Sequence, residues 1–386
     1  MPADRITADQ AETGWRPAGG LSRLRGMELL PRGEYAPSLS YLNTASHGLL
    51  PARAAARLRA ALAETQEGRL DPRANAAALE AVRAGYAELA EISPERVALG
   101  SGVAVHAALI AAALPPGSEV LCPEDEYTSL VTPFARRPGI RLREVPLAEL
   151  AGAVDGATAL VAFSAVQSLD GRTADLPAVR AAARRYGART LLDTSQALGW
   201  LPMSAGDFDF TVCAGYKWLL CPRGTSFLTV PEDGGGLVPL HAGLTAADAS
   251  RSGPYGPVAE LAPGARRFDE SPALLPYLAA VESLGLVAEL GRPAIRAHDM
   301  ALADRFRAGL ARLGLAAVPG DSPIVSVPGA AGAEARLAAA GVRVAARGGG
   351  LRAAFHVYNT EADVDRALDA LGDARQPSDG LASRSA

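Results

Sequence analysis

Short apolar runs recur along this chain, each ending on a glycine or a polar residue, and alanine-rich stretches with helical spacing separate them. The runs fall at 96–100, 119–122, 159–164, 191–193 and 210–214, with helical patterns such as 103–114 and 176–186 between them. Continuous apolar runs predict strands covered on both faces. Their alternation with helices predicts an α/β unit built on a mostly parallel, doubly wound sheet. Such sheets bind ligands beyond the carboxyl ends of their strands, and the polar residues of this sequence collect after those ends.

At 386 residues the chain has room for a second unit. Short strand patterns at 324–327, 342–345 and 351–358 surround a helical stretch at 333–340, and a last helix at 361–371 follows an N-cap at Thr360. The expected layout is an N-terminal arm over 1–38, a large domain over 39–268, a small α+β domain over 269–373 and a disordered tail over 374–386. Hydrophobic residues make up 49% and charged residues 21%, the balance of a soluble globular chain. The net charge of −4 is spread over interspersed Arg and acids, so no basic face for nucleic acid is expected. No stretch has the length and apolarity of a signal peptide or a membrane span, and a cytoplasmic protein is the expectation. Cys122, Cys213 and Cys221 show no metal-ligand spacing, so neither a metal site nor a disulfide scaffold is expected.

The stretch 191–224 carries the chemistry. Its first apolar run ends on Asp193, with Gln196 three residues on, and its second delivers Lys217 between Tyr216 and Trp218. Lys217 is the chain's only lysine. An isolated lysine on a core strand is usually a snorkelling side chain. Aromatic and aliphatic neighbours, however, favour a desolvated amine with a lowered pKa. An acid after one strand and a lysine after the next suit pyridoxal phosphate, whose aldehyde condenses with an amine and whose ring nitrogen pairs with a carboxylate. Gly100-Ser101-Gly102 before the 103–114 helix offers free N–H groups and a helix dipole to a phosphate. Tyr127 follows another strand, placed to stack on a planar cofactor or to pack as a loop aromatic. Asn43 and His47 lie in a turn ahead of a helix starting near Pro51, where they either line a pocket or satisfy the turn. His106 reads as a packed helix residue.

With these residues in place, the sequence resembles the class V aminotransferase family of fold type I pyridoxal-phosphate enzymes. That family includes cysteine desulfurases, isopenicillin N epimerase-like proteins and the C–S lyases of ergothioneine biosynthesis. The resemblance spans roughly 39–371 and rests on Asp193-x-x-Gln196, Tyr216-Lys217 followed by Pro222-Arg223-Gly224, and the ending Leu351-Arg352-x-x-Phe355-His356-x-Tyr358-Asn359-Thr360. It implies a Schiff base on Lys217, Asp193 at the pyridinium nitrogen and Gln196 at the ring oxygen. Gly102, Val103 and Ala104 would take the phosphate by backbone alone, since the family's usual threonines are absent. Tyr216 would also reach the phosphate, and Tyr127 would replace the ring-stacking histidine. Either Gln167 or Ser168 would meet the ring oxygen. Arg352 would pair with the substrate α-carboxylate, unless it serves a structural ion pair. Ser271 would touch the phosphate from a partner subunit, which implies a homodimer with a shared site.

No cysteine lies between 340 and 352, where a desulfurase carries its sulfur acceptor, so persulfide-forming desulfurase activity is disfavoured. The sequence reading is an enzyme of specialised metabolism acting on an α-amino acid or an S-conjugated cysteine, leaning to β-elimination of the C–S lyase type. Transamination, epimerisation and decarboxylating or oxidative variants stand as alternatives, as does a degenerate, regulatory member. From another class, a nicotinamide dehydrogenase would need a third glycine and a following acid that the Gly100–Gly102 turn lacks.

Overall fold

The computed structural model describes residues 33–248 and 250–372. The expected tail at 374–386, and residues 1–32 of the expected arm, lie outside them. In chain order the elements begin with β1 (Ser40–Tyr41), α1 (Ala52–Gln66), α2 (Pro72–Ala90), β2 (Val97–Gly100), α3 (Val103–Ala113), β3 (Glu119–Pro123), α4 (Thr128–Ala135) and β4 (Arg141–Val145). They continue through α5 (Leu150–Ala153), β5 (Thr158–Ser164), α6 (Leu176–Tyr186), β6 (Arg189–Asp193), β7 (Phe210–Ala214) and β8 (Ser226–Thr229). The last part holds α7 (Leu274–Leu290), α8 (Arg292–Arg312), β9 (Ile324–Val327), α9 (Glu334–Ala339), β10 (Val342–Arg343), β11 (Ala345–Arg347), β12 (Gly350–Ala354) and α10 (Glu361–Gly372).

Seven strands form the large sheet in the order β2-β8-β7-β6-β5-β3-β4. All are parallel except β8, which runs antiparallel to both β7 and β2. The reversal of β8 restores β2 to the direction of β7, so the carboxyl ends of β2, β7, β6, β5 and β3 share one edge. Alternation along β5 feeds two cores: Val161 and Phe163 face one, Leu160 and Ala162 the other. Local chemistry sets the helix ends. Asp175 caps α6 by accepting from the Ala178 N–H at 3.0 Å, and Gly187 ends it in the left-handed region at φ 71°.

The smaller unit is a three-stranded antiparallel sheet, β11-β12-β9, beside a parallel pair of β1 and β10. Its core joins Phe306 and Leu310 of α8 to Leu351, Phe355 and Val364. Two packing contacts cross the expected boundaries. Helix α7, placed by the sequence in the small domain, shares its core with α2 and the large sheet through Tyr277, Leu284, Val82, Tyr86 and Phe227. Its apolar residues thus pack with the large sheet, in a cluster that also takes in Ile295, Ile324 and Ala354 from beyond it. Residues 33–38 of the expected arm are also packed: the Tyr35 ring lies 5.2 Å from that of Tyr358, and Glu34 accepts from the Arg53 guanidinium.

Candidate active site

The shared edge of the sheet gathers the sequence candidates. Asp193 closes β6, Tyr127 starts α4 after β3, Gly102 caps the start of α3 after β2, and the 165–171 loop follows β5. Lys217 lies three residues past β7 in a turn anchored from several sides. The Gly48 N–H donates to the Tyr216 carbonyl at 2.9 Å, and the Trp218 indole donates to Gln196 Oε1 at 2.7 Å. Ser283 Oγ donates to the Leu220 carbonyl at 2.8 Å, and His356 Nε2 meets the Trp218 carbonyl at 3.1 Å. A Cβ at position 48 would overlap the Lys217 carbonyl, so only glycine lets the two segments approach. Leu220 holds φ 58°, a left-handed conformation that costs a non-glycine residue about 1–2 kcal/mol and survives because the surroundings fix the turn.

Lys217 is 4% exposed, and its Nζ lies 5.0 Å from the centroid of the Tyr127 ring. Burial lowers its pKa below the ordinary lysine value, opposed by Asp193 and reinforced by the Arg352 and Arg223 guanidiniums. Burial raises the carboxyl of Asp193, which the positive charge of Lys217 and hydrogen bonding from Ser195 pull back down. Its Oδ1 accepts from the Ser195 N–H at 2.8 Å. The pair therefore moves in opposite directions for one reason, desolvation at the mouth of the sheet.

A polar network runs beside the lysine. Gln196 Nε2 donates to Ser168 Oγ at 3.0 Å and to the Ala45 carbonyl at 2.9 Å. Arg352 Nη1 donates to Ser168 Oγ at 3.0 Å and to the Ser168 carbonyl, while Nη2 donates to Ser46 Oγ at 2.8 Å. Arg347 Nη2 reaches the same Ser46 hydroxyl at 3.5 Å. Two guanidiniums thus converge on one hydroxyl, and among the described residues no carboxylate pairs with either. Arg352 is 2% exposed, and its pKa is pushed down to about 10, by burial first and by Arg347 second. Its Nε and the Asn43 Oδ1 are buried without partners.

The other candidates divide. Ser168 joins the network, whereas Gln167 turns away to the Glu124 carbonyl (3.2 Å) and Arg172 (3.4 Å). Tyr216 stacks on His47 at 5.6 Å and carries Arg223 over its ring at 4.9 Å. Burial lowers the His47 pKa, as does Arg223. Gly102, Val103 and Ala104 open α3, and a Cβ at Gly102 would meet nothing within 4 Å, which leaves room for a bound group. Ser271 is exposed, next to Glu270, whose carboxylate accepts from the Ser101 N–H. His106 is buried against Ser226 Oγ at 2.9 Å, the packing role expected of it.

These residues fit pyridoxal phosphate: an open glycine at a helix start for the phosphate, a buried acid, a desolvated amine and an aromatic face beside it. Sequence reasoning missed Ser46, Arg347 and Glu126. Glu126 accepts from the Ser164 N–H (2.8 Å) and Oγ (2.7 Å), which ties the Tyr127 loop to the end of β5. Ser46 lies in the same turn as Asn43 and His47, but nothing local marks it.

The profile of the family Aminotransferase class-V matches residues 63–367. The isopenicillin N epimerase of Streptomyces clavuligerus is 33% identical over 379 residues, covering 87% of this chain and 94% of that protein. Among solved structures, a complex of the cystine C–S lyase C-DES with its product cysteine persulfide superposes with a TM-score of 0.80 at 22% identity, over 87% of this chain and 98% of that one. The apo cysteine desulfurase of Thermococcus onnurineus NA1 gives 0.77 at 17% identity, over 87% and 94%.

Proposed function

This chain belongs to the class V aminotransferase family of pyridoxal-phosphate enzymes, and from that premise we propose that it removes the α-proton of an α-amino acid with Lys217 as the base. The observation that carries the reading is the chain's only lysine, desolvated, beside Asp193 and the Tyr127 ring, with Arg352 close enough to lower its pKa. Bound pyridoxal phosphate supplies a ring that accepts the electron pair left at the α-carbon. Asp193 would hold the ring nitrogen protonated, and the first N–H groups of α3, at Gly102, Val103 and Ala104, would hold the phosphate. Tyr127 would cover the ring and the Ser168 hydroxyl would meet its oxygen, held in place by Gln196, whose two amide hydrogens go to Ser168 Oγ and the Ala45 carbonyl. Arg352 binds the substrate carboxylate, the anion missing from the guanidinium pair at Ser46. A lowered lysine pKa puts more free amine at neutral pH, as a general base needs.

Return of the proton to the opposite face gives epimerisation, supported by the epimerase relative that aligns along nearly its whole length. β-Elimination of an S-conjugate is the second reading, favoured by the state of the thiols. All three cysteines are buried, with Cys122 and Cys213 pushed up to about 12 and Cys221 also raised by burial. Sulfur released here would leave with the product, not pass to a protein thiolate. A homodimer belongs to the proposal, supported by the exposed Val238, Leu240, Leu244 and Tyr255, and light scattering at the monomer mass would oppose it.

The test is incubation of holoenzyme with α-amino acids and S-conjugates in D2O. Deuterium entering the α-position with inversion supports epimerisation, and released thiol supports elimination. Ketoacid with neither supports transamination. No exchange, with no cofactor fixed to Lys217 by borohydride, overturns the proposal.

A further inference from the structure

Behind the lysine turn, two ionisable side chains meet with no access to solvent. Asp299 of α8 and His356, just past β12, are each 0% exposed. His356 Nδ1 lies 2.8 Å from Asp299 Oδ2, and Nε2 lies 3.1 Å from the Trp218 carbonyl. A carbonyl only accepts, so Nε2 carries a hydrogen. Nδ1 then either donates as part of an imidazolium or receives the proton of a neutral Asp299 carboxyl. A neutral imidazole against a carboxylate would set two lone pairs face to face. The pair therefore keeps one proton between its members and carries no net charge, which suits a pocket where Asp299 Oδ1 has no partner.

The Trp218 peptide is the next one after Lys217. Gly48, Gln196 and Ser283 hold the flanks of the turn, but among the described residues only His356 grips the Trp218 carbonyl. The imidazole also sits edge-on to the Trp218 ring at 5.0 Å. Four residues earlier the same chain segment presents Arg352. Strand β12 and the residues just past it thus carry both the guanidinium for the substrate carboxylate and the anchor for the turn that bears the base. We propose that His356, oriented by Asp299, is a positioning residue: it fixes the direction in which Lys217 leaves its turn and so the separation of amine from Arg352. The inference rests on the roles given above to Lys217 and Arg352.

His356→Asn and His356→Gln make a matched pair. Asn keeps an amide where Nδ1 meets Asp299 and withdraws the donor from Trp218; Gln keeps the donor toward Trp218 and gives up Asp299. The expected result is a kcat about 10- to 100-fold lower in His356→Asn and within about 3-fold of the parent in His356→Gln, with KM little changed in both. A readout independent of turnover is the rate at which apoprotein captures pyridoxal phosphate on Lys217, fixed by borohydride and measured by mass. It slows in His356→Asn alone. Asp299→Asn donates to Nδ1 of a neutral imidazole, leaves Nε2–H on Trp218, and is expected to retain kcat within about 3-fold. Equal losses in the two His356 variants, or unchanged capture and kcat in a folded His356→Asn, overturn the proposal. So does a loss in Asp299→Asn as large as that of His356→Asn. Failure of the parent chain to fix cofactor on Lys217 overturns the functional reading as well.

Discussion

Arg352 spends part of its guanidinium on Ser168 and Ser46, yet meets no carboxylate among the described residues. Arg352→Ala is therefore expected to raise substrate KM about 10- to 100-fold, the cost of a lost charge-assisted pair, with cofactor absorbance and fixation on Lys217 intact. Unchanged KM for amino acids removes Arg352 from the site. His106 gives a pH prediction. Burial pushes its pKa down to about 4 from 6.5, so the unfolded chain takes up a proton that the folded chain refuses. Stability is full above 6.5 and falls as pH drops toward 4, by up to about 3 kcal/mol at 1.36 kcal/mol per unit. His106→Gln is expected to flatten that slope in thermal melts at stepped pH, whatever it costs at neutrality. At this scale Lys217, Asp193 and Arg352 were legible because type, spacing and a single lysine marked them. Ser46 was not, since its partner Arg352 lies 306 residues away and no local pattern announces the contact.

Among the elements, the turn after β7 depends on one absent side chain. Gly48→Ala drives a Cβ into the Lys217 carbonyl, and the turn must move or the 43–51 segment must lift away. The expected outcome is a chain that folds, by circular dichroism, but fixes cofactor slowly and loses kcat by about 10-fold or more. A fully active Gly48→Ala would show that the segment yields. The sequence foretold the strands with continuous apolar runs and overlooked two others. Strand β4 lies at the edge, partly exposed, with Arg141, Arg143 and Glu144 in place of an apolar run. Strand β8 has four residues and reverses the sheet, a step periodicity cannot reveal. The packing of helix α7 against α2 was not legible, because an apolar helix shows that it is buried, not where. The N-cap at Thr360 was legible, and its Oγ1 accepts from the Asp363 N–H at 3.3 Å.

Across the whole molecule, the first strand pairs with the tenth: Ser40 opposite Val342 and Tyr41 opposite Arg343. The Ala354 N–H donates to the Leu42 carbonyl at 2.9 Å, and Asn359 Nδ2 to the Tyr41 carbonyl at 2.8 Å. The segment leading to Gly48 is thus strapped to the far end of the chain before it reaches Lys217. A ribosome delivers residues 40–48 long before 342–359, so in the growing polypeptide Gln196 and Ser283 can hold the lysine turn, while the strap on 40–48 and the His356 contact are still missing. Uptake of the coenzyme then depends on the 342–359 segment being in place. A chain stopped at 340 is expected to stay colourless in the presence of pyridoxal phosphate, and visible absorbance equal to that of the 386-residue chain would show that the strap is not needed.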